Sequence, residues 1–244
     1  MDIYKEILDQ YDLLGVEDII PVAHVRIQPN IGILINDAGD FLGATVVKKG
    51  DRASIPCTIQ SESRTANTAP HPIHDNMSYI CGDYADAKFK KRHKAYMEQL
   101  EEYSNVSSDG LAKAVFIYLR KGTLREDIKG IFCKINLPEE KIMVVFATPT
   151  YQDTTSKKWS DYYLATLPKN GICAITGQPD YIPDKYPGGI SPRGFEKMFF
   201  SESKSDIMML NSMPTLAPGY VASQKIMHTL QCMIYEGWHW AWRV

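Results

Sequence analysis

Residues 22–60 run VAHVRIQPNIGILINDAGDFLGATVVKKGDRASIPCTIQ. Four β-rich stretches separate within it: VAHVRIQ (22–28), IGILIND (31–37), FLGATVVKK (41–49) and SIPCTIQ (54–60). Branched apolar residues recur in each, and they fit a pleated, half-buried surface. Asp37-Ala-Gly-Asp40 supplies a turn between the second and third. Short strands joined by tight turns predict an antiparallel meander.

Helical spacing surrounds this block. Ile3, Tyr4, Ile7, Leu8, Tyr11 and Leu14 recur every three or four residues, so 2–14 reads as an amphipathic helix with Gly15 as its stop. Residues 85–103 make a second helix, with Phe89, Tyr96, Leu100 and Tyr103 turned to the core, and 109–121 a third. GIFCKINL (130–137) and KIMVVFATP (141–149) read as strands, 156–167 as a helix, ICAIT (172–176) as a strand and 219–236 as the last helix. Between them, 178–219 is irregular. The class is α+β: a strand-rich N-terminal portion followed by helices. The expected division is a region 1–149 and a second α+β segment, 150–244, continuous with it.

Of the 244 residues, 44% are hydrophobic and 23% charged, which excludes disorder, collagen and coiled coil. No apolar run reaches the roughly 20 residues that span a bilayer, and the N-terminus is acidic where a signal peptide is basic. A cytoplasmic protein without a membrane partner is expected. The net charge is −2. Residues 1–20 hold six acids (Asp2, Glu6, Asp9, Asp12, Glu17, Asp18) and one base, Lys5, so the remainder sums to −2 + 5 = +3. Five widely spaced cysteines (57, 81, 133, 173, 232) form no CxxC, which predicts buried free thiols rather than a zinc site or a disulfide framework.

Catalytic signals are weak. His71, His74 and Asp75 are potential metal ligands, and His24 and Asp127 could complete an HD-type phosphohydrolase. That chemistry needs a helix at His74-Asp75, which Pro72 opposes. Pro187–Gly194, with Arg193, lacks the spacing of a phosphate cradle, and Cys173 lies in an apolar strand as a structural thiol. No catalytic residue, metal ligand or cofactor is assigned.

Charge and polar patterning say more. Lys88, Lys90, Lys91, Arg92, His93 and Lys94 fall within seven residues of one helix, and Arg120, Lys121, Arg125 and Lys129 form a second group. A run that dense points around most of a helix. It meets a polyanion, or it is a solvated face balanced by Glu98, Glu101 and Glu102. Residues 61–76, SESRTANTAPHPIHDN, form a long ordered loop. Its Arg64, Thr65, Asn67, His71 and Asn76 suit base edges in a groove; they equally suit a self-satisfied turn network.

From Ser63 through Asp75-Asn-Met-Ser-Tyr79 to Gly82, this stretch resembles the large subunit of the type I-C CRISPR Cascade complex. The opening helix, IGILINDAGDFLG, the helix Lys90-Lys-Arg-His93, Cys173-Ala-Ile-Thr-Gly177 and the helix GYVASQKIMHTLQCMI resemble that family in the same order. The resemblance covers residues 1 to about 235. It implies a non-enzymatic subunit that sits by the guide RNA's 5′ handle, beside the handle-binding and backbone subunits. It further implies recognition of the protospacer-adjacent motif in double-stranded DNA, help in opening the duplex, and docking of the helicase-nuclease. Guide pairing supplies the long specificity. By motif, Arg64, Thr65, Asn67, His71 and Asn76 become the motif-reading residues, and Lys90, Lys91, Arg92 and Lys94 the phosphate contacts.

Members of that family are longer and end in a helical bundle, which implies that this chain is an N-terminal part or a truncated form. Residues 180–216 diverge from the family, and the tail Trp238-His-Trp-Ala-Trp242 has no counterpart there. A stand-alone relative that binds and inhibits Cascade components is an alternative reading, as is the phosphohydrolase.

Overall fold

The computed structural model describes residues 3–14, 19–62, 64, 68–184, 186 and 217–235. Gly15, Thr65, Asn67, Arg193 and the tryptophan-rich tail lie outside the described residues. The chain divides into two compact units, 23–164 and 1–22 with 165–244.

In the larger unit, β1 (His24–Ile27) pairs antiparallel with β4 (Ala53–Pro56), while β2 (Ile31–Ile35) and β3 (Phe41–Val46) form a hairpin between them. β2 also pairs in parallel with β6 (Met143–Ala147), whose other edge takes the two-residue β5 (Asp75–Asn76) antiparallel. The sheet order is β3-β2-β6-β5. The strand-rich start and the α+β class are as read from sequence, but the pairing is not sequential. The parallel partner arrives across a long helical connection, as parallel strands require. Ile31, Ile33 and Ile35 alternate onto the buried face and meet Val144 and Phe146 from β6.

That face is covered by α5 (Gly110–Arg120), which buries Leu111, Ala112, Ala114, Val115, Tyr118 and Leu119. Asp109 caps it, accepting from the Ala112 N–H. α4 (Ala87–Val106) buries Tyr96, Leu100 and Tyr103 and is capped by Asp86. α2 (Ile59–Glu62) and α3 (Met77–Ile80) are single turns flanking the polar loop. α7 (Lys157–Thr166) buries Trp159, whose Nε1 donates to the Cys57 carbonyl.

One segment differs from the sequence expectation. The strand expected at 130–137 is instead the end of α6 (Leu124–Phe132) and the turns after it. Leu124 and Ile128, four apart, are buried beneath a polar face of Arg125, Glu126, Asp127 and Lys129. GIFCKINL supplies only the helix's last residues, which leaves Cys133 exposed while the other four cysteines are buried.

The β2–β3 turn shows how closely the sheet and α5 fit. Asn36 Oδ1 accepts from the N–H groups of Ala38 and Asp40. Gly39 has φ +74, and a Cβ there would lie 2.8 Å from the Tyr118 nitrogen and 2.9 Å from the Ala114 carbonyl. Gly39→Ala combines a left-handed conformation with a backbone clash, so a loss of about 2 kcal/mol in urea unfolding is expected.

In the smaller unit, α1 (Ile3–Leu13) packs on α8 (Tyr220–Tyr235) through Ile7, Ile226 and Met227. Lys225 pairs with Asp12. The strand expected at 172–176 is shorter: β7 (Gly171–Ile172) pairs with β8 (Pro179–Asp180), and Cys173–Gly177 forms the turn. Cys173 is buried there. Burial opposes its thiolate, but the Thr176 side chain and the N–H groups of Gly219, Thr176 and Ile175 outweigh it and lower the thiol's pKa. No described helix is long and apolar enough to cross a membrane.

Candidate nucleic-acid interface

The polar loop starts from a reciprocal cap. The Thr58 N–H donates to Ser61 Oγ and the Ser61 N–H to Thr58 Oγ1, which opens α2 and directs the chain towards Arg64. Residues 69–75 are all buried. A buried loop must satisfy its own backbone, and here one carboxylate does most of that. Asp75, fully buried, accepts from both terminal nitrogens of Arg64, from the His71 N–H at 2.8 Å and from the Asn76 N–H at 2.7 Å. Arg64 Nη1 also donates to the Ala69 carbonyl at 2.7 Å.

Burial pushes the Asp75 carboxyl above its usual pKa, while Arg64 and the two backbone donors pull it down. Burial also works against the Arg64 charge, but the bonds to Asp75 outweigh it and leave the guanidinium more firmly protonated than usual. Four donors converge on Asp75, and each favours the carboxylate. The pair has the geometry of a buried ion pair.

The loop's course is strained. Ile73 has φ +64, which a β-branched residue seldom adopts. The His74 N–H closes back on the Pro72 carbonyl at 2.6 Å, a γ-turn. The Tyr96 hydroxyl holds the Ile73 carbonyl at 2.7 Å, and His74 Nδ1 accepts from the Phe146 N–H at 3.1 Å. Such strain persists where the surroundings over-determine it.

Tyr79 ties this loop to the basic helix. Its ring has the Arg64 guanidinium at 4.3 Å and that of Arg92 at 5.1 Å. Its hydroxyl accepts from the Ala69 N–H, and its carbonyl accepts from His93 Nδ1 at 2.9 Å. Arg92 Nη1 donates to Ser78 Oγ at 3.1 Å, and Ser78 Oγ in turn donates to Asn76 Oδ1 at 2.6 Å. The segments Asp75-Asn-Met-Ser-Tyr79 and Lys90-Lys-Arg-His93 are therefore packed against each other.

The structure thus sorts the expected site residues. Arg64, His71 and Asn76 come together, but Arg64 and His71 face inward. The Arg64 side chain is 16% exposed, and its guanidinium is engaged with Asp75. On α4, Lys88, Lys90, Lys91 and Lys94 are exposed, while Arg92 and His93 are half-buried against Tyr79. Lys94 lies 3.8 Å from Glu98; among the described residues Lys88, Lys90 and Lys91 have no carboxylate partner. The second basic group is spent internally: Lys121 pairs with Asp40, Arg125 with Glu139, Lys129 with Glu126, and Arg120 lies over Phe116. Of the two hubs of the arrangement, Tyr79 had no role read from sequence and Asp75 was considered only as a metal ligand. The Asp-Asn-x-Ser-Tyr motif was visible, but not which of its side chains face inward.

The groups that a phosphohydrolase would use are committed elsewhere. His74 and Asp75 have the partners just given. His24 Nε2 accepts from the Ser156 N–H, and Asp127 accepts from Tyr118 and Thr123. Among the described residues no three His, Cys, Asp or Glu side chains group as metal ligands.

The larger unit thus presents an α+β core with a basic helix seated on a strained, ion-paired loop. The chain matches the family model for CRISPR-associated protein (Cas_Csd1) over residues 2–191. It therefore belongs to the Csd1 family of CRISPR-associated proteins. No curated protein matches it significantly.

Proposed function

We propose that the chain is the subunit of an RNA-guided Cascade complex that recognises the protospacer-adjacent motif in double-stranded DNA, aids duplex opening and helps recruit the helicase-nuclease. It does so without metal, cofactor or catalysis of its own, in contact with the guide RNA's 5′ handle and with the handle-binding and backbone subunits. Family membership supports the CRISPR role. The observation that carries the DNA reading is the exposed lysine face of α4, on which Lys88, Lys90 and Lys91 have no carboxylate partner among the described residues, fastened through Arg92 and His93 to the loop that ends in Asn76. Lys90, Lys91 and Lys94 contact phosphates and set affinity; Arg92 orients their helix. Thr65, Asn67 and Asn76 contribute to motif reading, and Arg64 and His71 serve it by holding the loop.

The test is duplex binding by the guide-RNA-assembled complex, with and without a candidate motif, across a salt series. Lys90→Ala/Lys91→Ala/Lys94→Ala is expected to weaken binding to all sequences. It should also flatten the salt dependence by up to about 0.9 in log–log slope per lost contact. Asn67→Ala/Asn76→Ala should lower the motif preference and leave the slope alone. An unchanged slope in the first variant overturns the phosphate assignment, and an unchanged preference in the second overturns the reading assignment.

A further inference from the structure

The turn between β3 and β4, Lys48-Lys49-Gly50-Asp51-Arg52, carries three bases and one acid in five residues. The Asp51 N–H donates to the Lys48 carbonyl at 3.1 Å, and Gln28 Nε2 reaches the carbonyls of both Lys48, at 3.4 Å, and Asp51, at 3.2 Å. Gly50 sits at φ +102, a conformation that side-chain-bearing residues rarely adopt. The turn is therefore held in one shape by its neighbours. Lys48 and Lys49 are exposed on it.

Six other bases of the same unit are neutralised within it: Arg64, Lys94, Lys121, Arg125, Lys129 and Lys157 each have a carboxylate partner. Among the described residues, adjacent lysines without such a partner occur in two places, on α4 and on this turn. Lysines on an edge strand can serve to block pairing with another chain. That does not account for these two, because the ladder of β3 ends at Val46 and the Val47 N–H is already taken by the Asn30 carbonyl. Two unpaired ammonium groups on a closed turn suit a repeating phosphate, and pre-ordering the turn reduces the entropy lost on contact.

We propose that the β3–β4 turn is a second phosphate-contact point for duplex DNA, made by Lys48 and Lys49 and separate from the α4 face. The inference rests on the DNA-binding reading above. It is tested with the full chain assembled on guide RNA, using a duplex carrying the motif and one lacking it. Lys48→Glu/Lys49→Glu is expected to reduce the log–log salt slope by about 2, one phosphate contact per lysine. Affinity for both duplexes should fall about tenfold or more in low salt, with the motif-to-nonmotif ratio unchanged. Gly50→Ala retains both charges while disturbing the turn, and should give a smaller loss in the same direction.

If the α4 triple variant lowers the slope while Lys48→Glu/Lys49→Glu does not, this inference alone falls. If the turn variant loses guide-RNA association and keeps the wild-type DNA slope, it also falls, in favour of an RNA contact. A wild-type complex with no salt-dependent duplex binding overturns the DNA-binding reading and this inference together.

Discussion

Asp75→Ala is expected to destabilise the chain by about 3–5 kcal/mol, the usual cost of removing one partner from a buried ion pair. The size follows from what is orphaned. Arg64 would keep a positive charge in a site that is mostly out of water, and the His71 and Asn76 N–H groups would lose their acceptor. The loop would also lose the clasp by which Asp75 holds the His71 backbone four residues before it. Urea denaturation of the full chain measures the loss, and a change below about 1 kcal/mol would show that the pair contributes little. Arg64→Ala/Asp75→Ala is expected to cost less than the sum of the two single changes, because the double variant leaves no uncompensated charge. Asp75→Asn, which retains the shape and two acceptor lone pairs, should fall between wild type and Asp75→Ala.

Acid should unfold the protein early. Burial lowers the His74 pKa from its ordinary value to about 3, only partly offset by the Thr154 backbone and the Asp109 charge beside it. His71 is likewise held well below its usual value, by burial first and by the Arg64 charge second. The folded state therefore refuses protons that the unfolded chain accepts below pH about 6.5. Their contribution is flat above that pH and falls as pH drops through it, by about 1.4 kcal/mol per pH unit for each histidine, or about 2.7 for both. For His74 the fall continues to about pH 3. Asp75 acts with the opposite sign, since its folded pKa is raised and the folded state protonates first. Its contribution is confined to the acid end near and above the ordinary carboxylate range. Urea midpoints measured at a series of pH values give the slope, and His71→Gln should remove about half of it. Ring resonances of His71 or His74 that titrate near pH 6.5 in the folded protein would overturn the prediction.

How far this was legible in the sequence differs by element. Periodicity located α4, α5, α7 and α8 to within a few residues, because one buried stripe on each recurs at the helical period. It failed at 130–137, where an apolar cluster at the end of a short helix has no length over which a period can be read. The hairpin turn at Asp37–Asp40 was legible from local chemistry. The pairing of β1 with β4, and of β2 with β6 more than a hundred positions later, was not, since strand partners far apart in sequence leave no local mark. In the loop, the residue types were recognised as either readers or a self-satisfied network. The sequence could not decide between these, because an arginine that meets a base and one that meets a buried carboxylate look the same as letters.

By itself, the sequence determined the α+β class, the positions of most elements, the family and the presence of an unusually basic helix. These depend on local propensity, short-range periodicity and ordered motifs, all of which are written along the chain. The tertiary structure alone decided which charges remain available. Arg64 is consumed by Asp75 and Arg92 is turned onto Tyr79. Arg125 is consumed by Glu139, while Lys48, Lys49, Lys88, Lys90 and Lys91 keep theirs for solvent. The reason is physical: a charge is neutralised by whatever lies within a few ångströms of it in space, and folding brings together groups that the sequence keeps apart.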